Sequence, residues 1–311
     1  MQKKLITVSV PVYNEKENIR PCYDRISAVM QSLPAYDYEI VYFDDGSTDG
    51  SREEIEALCS ADKRVKAVFY TRNFGYSKTV FYCMQQAEGD AAVLVHCDLQ
   101  NPPEEIPRMI EKWEQGAEIV LGVKNKSKEN GFVYFLRTLF YGIMNLLFGM
   151  KLVPHTTEFE LFDKSFVRLL RQINAPNPFL RGIINEYGQT VEKIYYTQDR
   201  RAKGKSHFSI GKYYDFAVNG IVNTSRCLPR RILVFALSGL FAVLLEFLIH
   251  FVPHLAELDH MALWNGLLLR FGISVLLAGL AALAVMFEYV IAAARNSSGE
   301  QQITEEKRLN F

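Results

Sequence analysis

Three short polar clusters interrupt runs of apolar, β-branched residues, and each carries groups able to hold a phosphorylated ligand. The first is Asn14-Glu15. The second is Asp44-Asp45-Gly46-Ser47-Thr48-Asp49. The third runs from His96 through Asp98 to Gln100. A carboxylate at Asp44 or Asp45 can accept the imide N–H of a pyrimidine or purine base, or the hydroxyls of a ribose. It can equally close an Asx-type turn, but two adjacent acids with Asp49 behind them favour a ligand. Asp98 is a natural oxygen donor for Mg2+ or Mn2+ on a diphosphate, although a lone carboxylate also suits a helix cap.

The surrounding pattern supplies the elements that bring these clusters together. Strands are predicted at 5–13, 38–43, 65–70, 91–97 and 119–122, and helices at 17–33, 51–60 and 77–87. A further helix opens at Pro102-Pro103-Glu104-Glu105, with Asn101 as its N-cap. Strands alternating with helices predict an α/β fold with a mostly parallel, doubly wound sheet. In such sheets ligands bind outside the carboxyl ends of the strands, and all three clusters fall at such ends.

Two long apolar stretches follow, at 232–252 and 263–294, each long enough to span a bilayer. The first contains Glu246 as its one formal charge. The second contains Arg270 near its start and Glu288 near its end, where each can reach the headgroups. The link between them carries Glu257 and Asp259 and no Lys or Arg. Residues 200–231, by contrast, hold eight Lys and Arg against Asp215. The positive-inside rule therefore puts the preceding domain and both termini in the cytoplasm. A hairpin buried in a soluble core is the competing reading. A charge-free polar residue set would be ordinary in such a span, so Glu246 marks a functional position or a contact with another subunit.

The charge balance bounds the partners. Thirty-five Lys and Arg offset thirty-five Asp and Glu, so no nucleic-acid signature exists. The cysteines at 22, 59, 83, 97 and 227 show no CxxC spacing and read as reduced thiols. No signal-peptide core precedes the first strand, so the first domain is expected to stay inside. Nucleotide-binding and hydrolase signatures such as GxGxxG, GxSxG and HExxH do not occur, and Gly204-Lys205-Ser206 lacks the leading glycine of a P-loop.

The ordered set of motifs carries a resemblance. Val10-Pro11-Val12-Tyr13-Asn14-Glu15, Phe43-Asp44-Asp45-Gly46-Ser47-Thr48-Asp49, Arg72-Asn73-Phe74-Gly75 and Asp98-Leu99-Gln100-Asn101-Pro102-Pro103-Glu104 resemble the family 2 glycosyltransferases of the GT-A fold. More narrowly the chain resembles the polyprenyl-phosphate glycosyltransferases, including dolichol-phosphate mannose synthase and the bacterial undecaprenyl-phosphate sugar transferases. The likeness continues through Phe179-Leu180-Arg181-Gly182 and residues 201–208 into the two-span tail. It implies a cytoplasmic GT-A domain over 1–209, within which apolar residues at helical spacing from Phe132 to Leu147 read as an interfacial helix at 131–150, with a core helix as the competing reading. It also implies a juxtamembrane helix at 210–231, two membrane helices within 232–294, and a cytoplasmic tail at 295–311.

By this resemblance, Pro11, Tyr13, Glu15 and Asp44 or Asp45 would hold the nucleoside of a sugar nucleotide, more often a uridine diphosphate sugar. Asp98 would be the second acid of an Asp-x-Asp metal motif. Arg201, Lys205 and Ser206 would grip the donor diphosphate or the lipid phosphate, and Arg137 would meet the lipid phosphate. Directed cationic donors suit phosphate, and simple attraction to anionic headgroups competes as an explanation of that basic run. The partners implied are a nucleotide-sugar donor, a polyprenyl phosphate acceptor, the bilayer, and further copies of the chain in a homotetramer.

Two departures stand out. His96 occupies the place of the first acid, and an imidazole binds Mn2+ but is a poor Mg2+ ligand; it can also bond the ribose or pack. Thr157-Glu158-Phe159-Glu160-Leu161 replaces the usual Gly-Asp-Phe-Arg-Leu, so Glu158 reaches one methylene further and Glu160 reverses a charge. The implied chemistry is a single displacement in which a lipid phosphate oxygen attacks the anomeric carbon. The phosphate is already anionic, so Glu158 serves mainly to orient and weakly as a base. Two other classes compete. A processive polysaccharide synthase would carry Gln-x-x-Arg-Trp, which neither Trp113 nor Trp264 completes. A catalytically weakened membrane scaffold, binding nucleotide and regulating a partner transferase, fits the substitutions at 96, 158 and 160.

Overall fold

The computed structural model describes residues 3–126, 153, 156–198, 261–297 and 303–311, with isolated helical positions between 142 and 248. Among the described residues eight strands form one mixed sheet: β1 (Lys4–Val12), β2 (Tyr36–Asp44), β3 (Val65–Tyr70), β4 (Ala91–Leu94), β5 (Ile119–Lys126), β6 (Thr156–Asp163), β7 (Val191–Thr197) and β8 (Glu305–Leu309). Their spatial order is β7-β5-β6-β4-β1-β2-β3-β8. The pairs β1–β2, β1–β4, β2–β3 and β5–β7 are parallel. The pairs β4–β6, β5–β6 and β3–β8 are antiparallel.

The strand sequences dictate a layered molecule. Ile6 through Val10 are buried without a break, because helices cover both faces of the sheet. Alternate residues then serve opposite cores. Val8, Ile40, Tyr42, Phe69 and Val93 join one cluster, whereas Val41, Phe43, Val68, Ala92 and Leu94 join the other. The helices α1 (Lys16–Gln31), α2 (Ser51–Ala61) and α4 (Ile106–Glu114) close the first face with Ile19, Ile26, Ile55 and Met109. On the second face, α3 (Tyr76–Gln86), α5 (Lys164–Gln172) and α6 (Leu180–Tyr187) contribute Phe81, Met84, Phe166, Leu170 and Ile184.

The α/β pattern expected at 1–122 is present, with shifted boundaries and three added strands. The fourth strand stops at Leu94 rather than reaching 97, although Val95 N–H still bonds Ser9 carbonyl at 3.0 Å. Asn101 does not cap a helix. The turn Pro103–Glu105 has Pro102 at its N-cap, and Asn101 instead accepts a hydrogen bond from the Tyr196 hydroxyl at 2.6 Å. The first addition is β6, which inserts between β4 and β5 and runs against both. The second is β7, which extends the sheet parallel to β5, and the third is β8, formed by a stretch read from sequence only as a tail.

The helix α7 (Met261–Ser297) has 37 residues, about 55 Å at 1.5 Å per residue. Within it, Leu269–Ile291 is long and apolar enough to cross a membrane, and none of that stretch is buried among the described residues. Leu269, Leu283 and Phe287 each expose about two thirds of their surface, unlike a buried core helix. The expected first span at 232–252, the interfacial helix at 131–150 and the juxtamembrane helix at 210–231 lie outside the described residues, isolated positions aside.

Candidate active site at the carboxyl ends of the strands

The three polar clusters meet where β1, β2 and β4 end. β1 and β2 are in register from Lys4–Tyr36 to Val12–Asp44, so Tyr13, Asn14 and Glu15 emerge beside Asp44 and Asp45. Cross-links bind the two ends together. Asp45 N–H bonds Val12 carbonyl at 2.8 Å. Asn14 N–H donates to Ser47 Oγ at 2.8 Å, and Thr48 N–H donates to Asn14 Oδ1 at 2.8 Å. Glu15 N–H donates to Ser51 Oγ at 3.0 Å, and Asn18 Nδ2 donates to Glu15 at 2.6 Å. Pro11, Tyr13 and Glu15 are half-buried at this rim.

The two adjacent acids have internal partners. Asp44 is fully buried and pairs with Arg52 Nε at 2.8 Å, while also accepting from Ser47 N–H. A buried carboxylate without such a cation would be costly. Asp45 accepts the N–H groups of Phe74 at 2.6 Å and Gly75 at 3.0 Å. Burial lifts its carboxyl to about 6 against the lowering effect of those donors. Gly46 makes this junction possible. Its φ is +73°, and a Cβ there would lie 2.6 Å from the backbone carbon of Arg72. Asp45 and Gly46 thus fasten the Asp-Asp-Gly-Ser loop onto the Arg72-Asn73-Phe74-Gly75 loop.

Glu158 itself, and Leu99 next to Asp98, sit on backbone that L-residues rarely adopt. At the site, non-glycine φ values are positive at Asn14 (54°), Leu99 (57°) and Glu158 (54°), while Asn310 (62°), just after β8, lies away from it. The first three are at the strand ends that form the site, where such strain is tolerated because surrounding structure enforces it. Asp98 closes its own turn, accepting Gln100 N–H at 3.1 Å. Glu158 lies in a bulge of β6. Leu121 pairs with Glu160 and Val123 with Thr156, so Gly122 alone faces Thr157, Glu158 and Phe159. A Cβ on Gly122 would sit 2.8 Å from Phe159 carbonyl oxygen. The bulge turns Glu158 out of the pleat.

That turn gives Glu158 partners from two helices. The Tyr76 hydroxyl donates to Glu158, and Arg181 Nε lies 3.3 Å from it. The Tyr76 ring stacks on His96 at 5.8 Å, with its oxygen 3.3 Å from His96 Nε2. Burial and the Glu158 charge hold the Tyr76 phenol well above its usual range, so it keeps its proton. That single proton goes to Glu158. His96 Nε2 therefore faces the phenol oxygen as a donor, and in the neutral tautomer Nδ1 keeps the lone pair. Tyr196 ties the remaining loops: it donates to Asn101 beside Asp98 and hydrogen-bonds Thr157 beside Glu158.

Glu160 is 1% exposed, and neither carboxylate oxygen has a hydrogen-bond partner among the described residues. Burial, then the nearby Glu158 charge, raise its carboxyl to about 8 against the pull of Arg181. At neutral pH it is mostly protonated, so the apparent charge reversal at this position is largely silent.

Among the described residues no three His, Cys, Asp or Glu converge as a metal cage. Asp98 and His96, two positions apart after β4, could offer a carboxylate oxygen and an imidazole nitrogen to a divalent cation whose other ligands are diphosphate oxygens, and an imidazole favours Mn2+ over Mg2+. Arg137, Arg201, Lys205 and Ser206 lie outside the described residues. Tyr76, Arg181, Tyr196 and Arg52 were not anticipated as site residues. Tyr76 directly follows the Arg72–Gly75 motif and Arg181 lies inside the Phe179–Gly182 motif, which were the available signals. The cysteines at 22, 59, 83 and 97 are buried free thiols, as expected.

Comparison with known proteins assigns the fold and the family. A family model described as glycosyl transferase family 2 matches residues 7–179. The bactoprenol glucosyl transferase of Shigella phage SfV is 33% identical over 78% of this chain and 78% of its own length. The prophage bactoprenol glucosyl transferase homolog of Escherichia coli K12 is 32% identical over 71% of this chain and 72% of its own. Glucosyl-3-phosphoglycerate synthase from Mycobacterium tuberculosis, solved in complex with uridine diphosphate, superposes with a TM-score of 0.53 at 17% identity, covering 73% of this chain and 80% of that one. The chain therefore belongs to glycosyl transferase family 2 and is a glycosyltransferase built on the GT-A fold.

Proposed function

We propose that this glycosyltransferase moves a sugar from a uridine diphosphate sugar to a polyprenyl phosphate, undecaprenyl phosphate, at the cytoplasmic face of the cell membrane. The product is a lipid-linked monosaccharide for envelope glycosylation. The observation that carries this reading is the bulged Glu158, held by Tyr76 and Arg181 beside the β4 end that bears His96 and Asp98. The acceptor class is supported by relatives named for bactoprenol and by the exposed apolar helix α7. The donor is supported by fold neighbours solved with uridine diphosphate and Mn2+.

In this reading the acceptor phosphate oxygen forms a bond to the anomeric carbon while the bond to the nucleoside diphosphate breaks. The electron pair leaves with the diphosphate, and no proton has to move because the acceptor is already an anion. Positioning and charge neutralisation then carry most of the barrier lowering. Pro11, Tyr13, Glu15 and the Asp44–Asp45 loop line the nucleoside end. Glu158 orients the acceptor, and the Tyr76 and Arg181 contacts fix its rotamer. Arg137, Arg201, Lys205 and Ser206 supply the phosphate contacts. A divalent cation held by Asp98 and His96 would neutralise the departing diphosphate.

The test is acceptor dependence. Purified full chain in detergent with Mn2+ and uridine diphosphate glucose should release uridine diphosphate rapidly only when undecaprenyl phosphate is present. Equal release with and without the lipid would refute the acceptor. Nucleotide binding with no release under any condition would support the scaffold instead.

A further inference from the structure

The described residues end in a strand that has no evident part in sugar transfer, yet it is fastened to the catalytic sheet at many points. β8 pairs with β3 from Ala67–Leu309 to Tyr70–Glu305. Thr71 N–H donates to Thr304 carbonyl at 3.0 Å, Lys307 pairs with Glu56 at 2.8 Å, and Asn310 Nδ2 bonds the carbonyls of Cys59 and Val65, both at 2.7 Å. The register shifts between Phe69 and Tyr70, which leaves Glu306 as the extra residue of a bulge. Bulges re-aim a side chain, and Glu306 reaches Arg52 Nη1 at 2.8 Å.

Arg52 is the junction. Its guanidinium bonds Glu306 in β8, Tyr70 carbonyl oxygen at 2.5 Å at the end of β3, and Asp44 at 2.8 Å at the end of β2. Asp44 in turn accepts Ser47 N–H, and Ser47 Oγ holds Asn14 N–H at the end of β1. A continuous line of charge-assisted and backbone hydrogen bonds therefore runs from the C-terminal strand to the two loops at the nucleoside end of the site. A planar guanidinium with three fixed acceptors has little freedom, and removing one acceptor loosens its hold on the others.

We infer that β8 is a working part of the donor pocket: docked, it holds Arg52 against Asp44 and sets the Asp44–Ser47 loop for the nucleotide. Arg52 and Glu306 are positioning residues and touch no reacting atom. This rests on the reading of that loop as the nucleoside site. Donor affinity then depends on the strand that follows α7 in the chain.

The test measures uridine diphosphate binding by calorimetry, and donor KM and kcat, in the full chain in detergent. Glu306→Gln keeps the shape and removes the charge. It should weaken nucleotide binding about threefold to tenfold, with the change in KM rather than kcat. Lys307→Gln, which loses a β8 contact remote from Arg52, should bind as wild type. In Asp44→Asn, adding Glu306→Gln should cost little more, because the two act through one line. Wild-type affinity in Glu306→Gln would overturn the inference, as would equal weakening in Lys307→Gln, which would mark general destabilisation. If Asp44→Asn weakens binding and Glu306→Gln does not, only the tail inference falls. If the wild type binds no uridine diphosphate, the nucleotide reading falls and the inference with it.

Discussion

Replacing Glu160 with glutamine should flatten part of the pH dependence of stability. Glu160 is completely enclosed beside Glu158 and Arg181, and its carboxyl is raised from 4.5 to about 8. The folded state then keeps a proton that the unfolded chain has lost. Stability from this group is complete below pH 4.5 and is lost progressively as pH rises to about 8. At about 1.4 kcal/mol per tenfold change in proton affinity, the loss is on the order of 4–5 kcal/mol. Glutamine keeps the volume and has no proton to lose. Asp45, raised to about 6, also contributes a fall between 3.8 and 6, but wild type and variant share it and it cancels in their difference. The two proteins should melt together near pH 5. Near pH 9 the variant should be more stable by several kcal/mol, about 10 °C in melting temperature for a domain of this size. Thermal unfolding in detergent at half-unit steps from pH 5 to 9 measures this. A difference curve that stays flat, or a variant less stable at pH 9, would refute a buried neutral Glu160.

Three further outcomes follow from the site. Glu158→Gln should lower kcat by about 10²-fold with KM values nearly unchanged; full turnover would remove Glu158 from the catalytic role. Chelation should abolish transfer, with Mn2+ restoring more activity than Mg2+ because of His96; Asp98→Asn should lose this metal response, and equal restoration of the wild type by both ions would argue against imidazole ligation. Gly122→Ala should cost about 1–3 kcal/mol of stability, because its Cβ would lie 2.8 Å from Phe159 carbonyl oxygen. It should also lower kcat by disturbing the bulge under Glu158; an unaltered melting temperature and rate would show that the bulge is not needed.

The strands β1 to β4 were legible because burial on both faces leaves nearly continuous apolar runs, and their polar ends stand out against them. β6 was hidden. Residues 157–161 read as a catalytic motif rather than as a strand, and the positive φ of Glu158 depends on a glycine 36 positions earlier. The partners of the acids were equally hidden, since they form across the fold: Tyr76 reaches Glu158 over 82 residues and Arg52 reaches Glu306 over 254. Asp44 shows the consequence. Its type and place suggested an open carboxylate, whereas the structure surrounds it with Arg52 and Ser47. The tail 303–311 carried two acids followed by two bases and no long apolar run, so nothing local announced an edge strand; its charges suit an edge that must not recruit further strands.

The central claim is that a polyprenyl phosphate oxygen displaces the nucleoside diphosphate from the sugar. The most direct measurement is mass spectrometry of the lipid extract after incubating the full chain with undecaprenyl phosphate, Mn2+ and a panel of sugar nucleotides. The account predicts one new lipid whose mass equals undecaprenyl phosphate plus one sugar residue, formed from a uridine diphosphate donor and absent with Glu158→Gln at matched times. Unchanged lipid with every donor, from protein that binds uridine diphosphate, would contradict it.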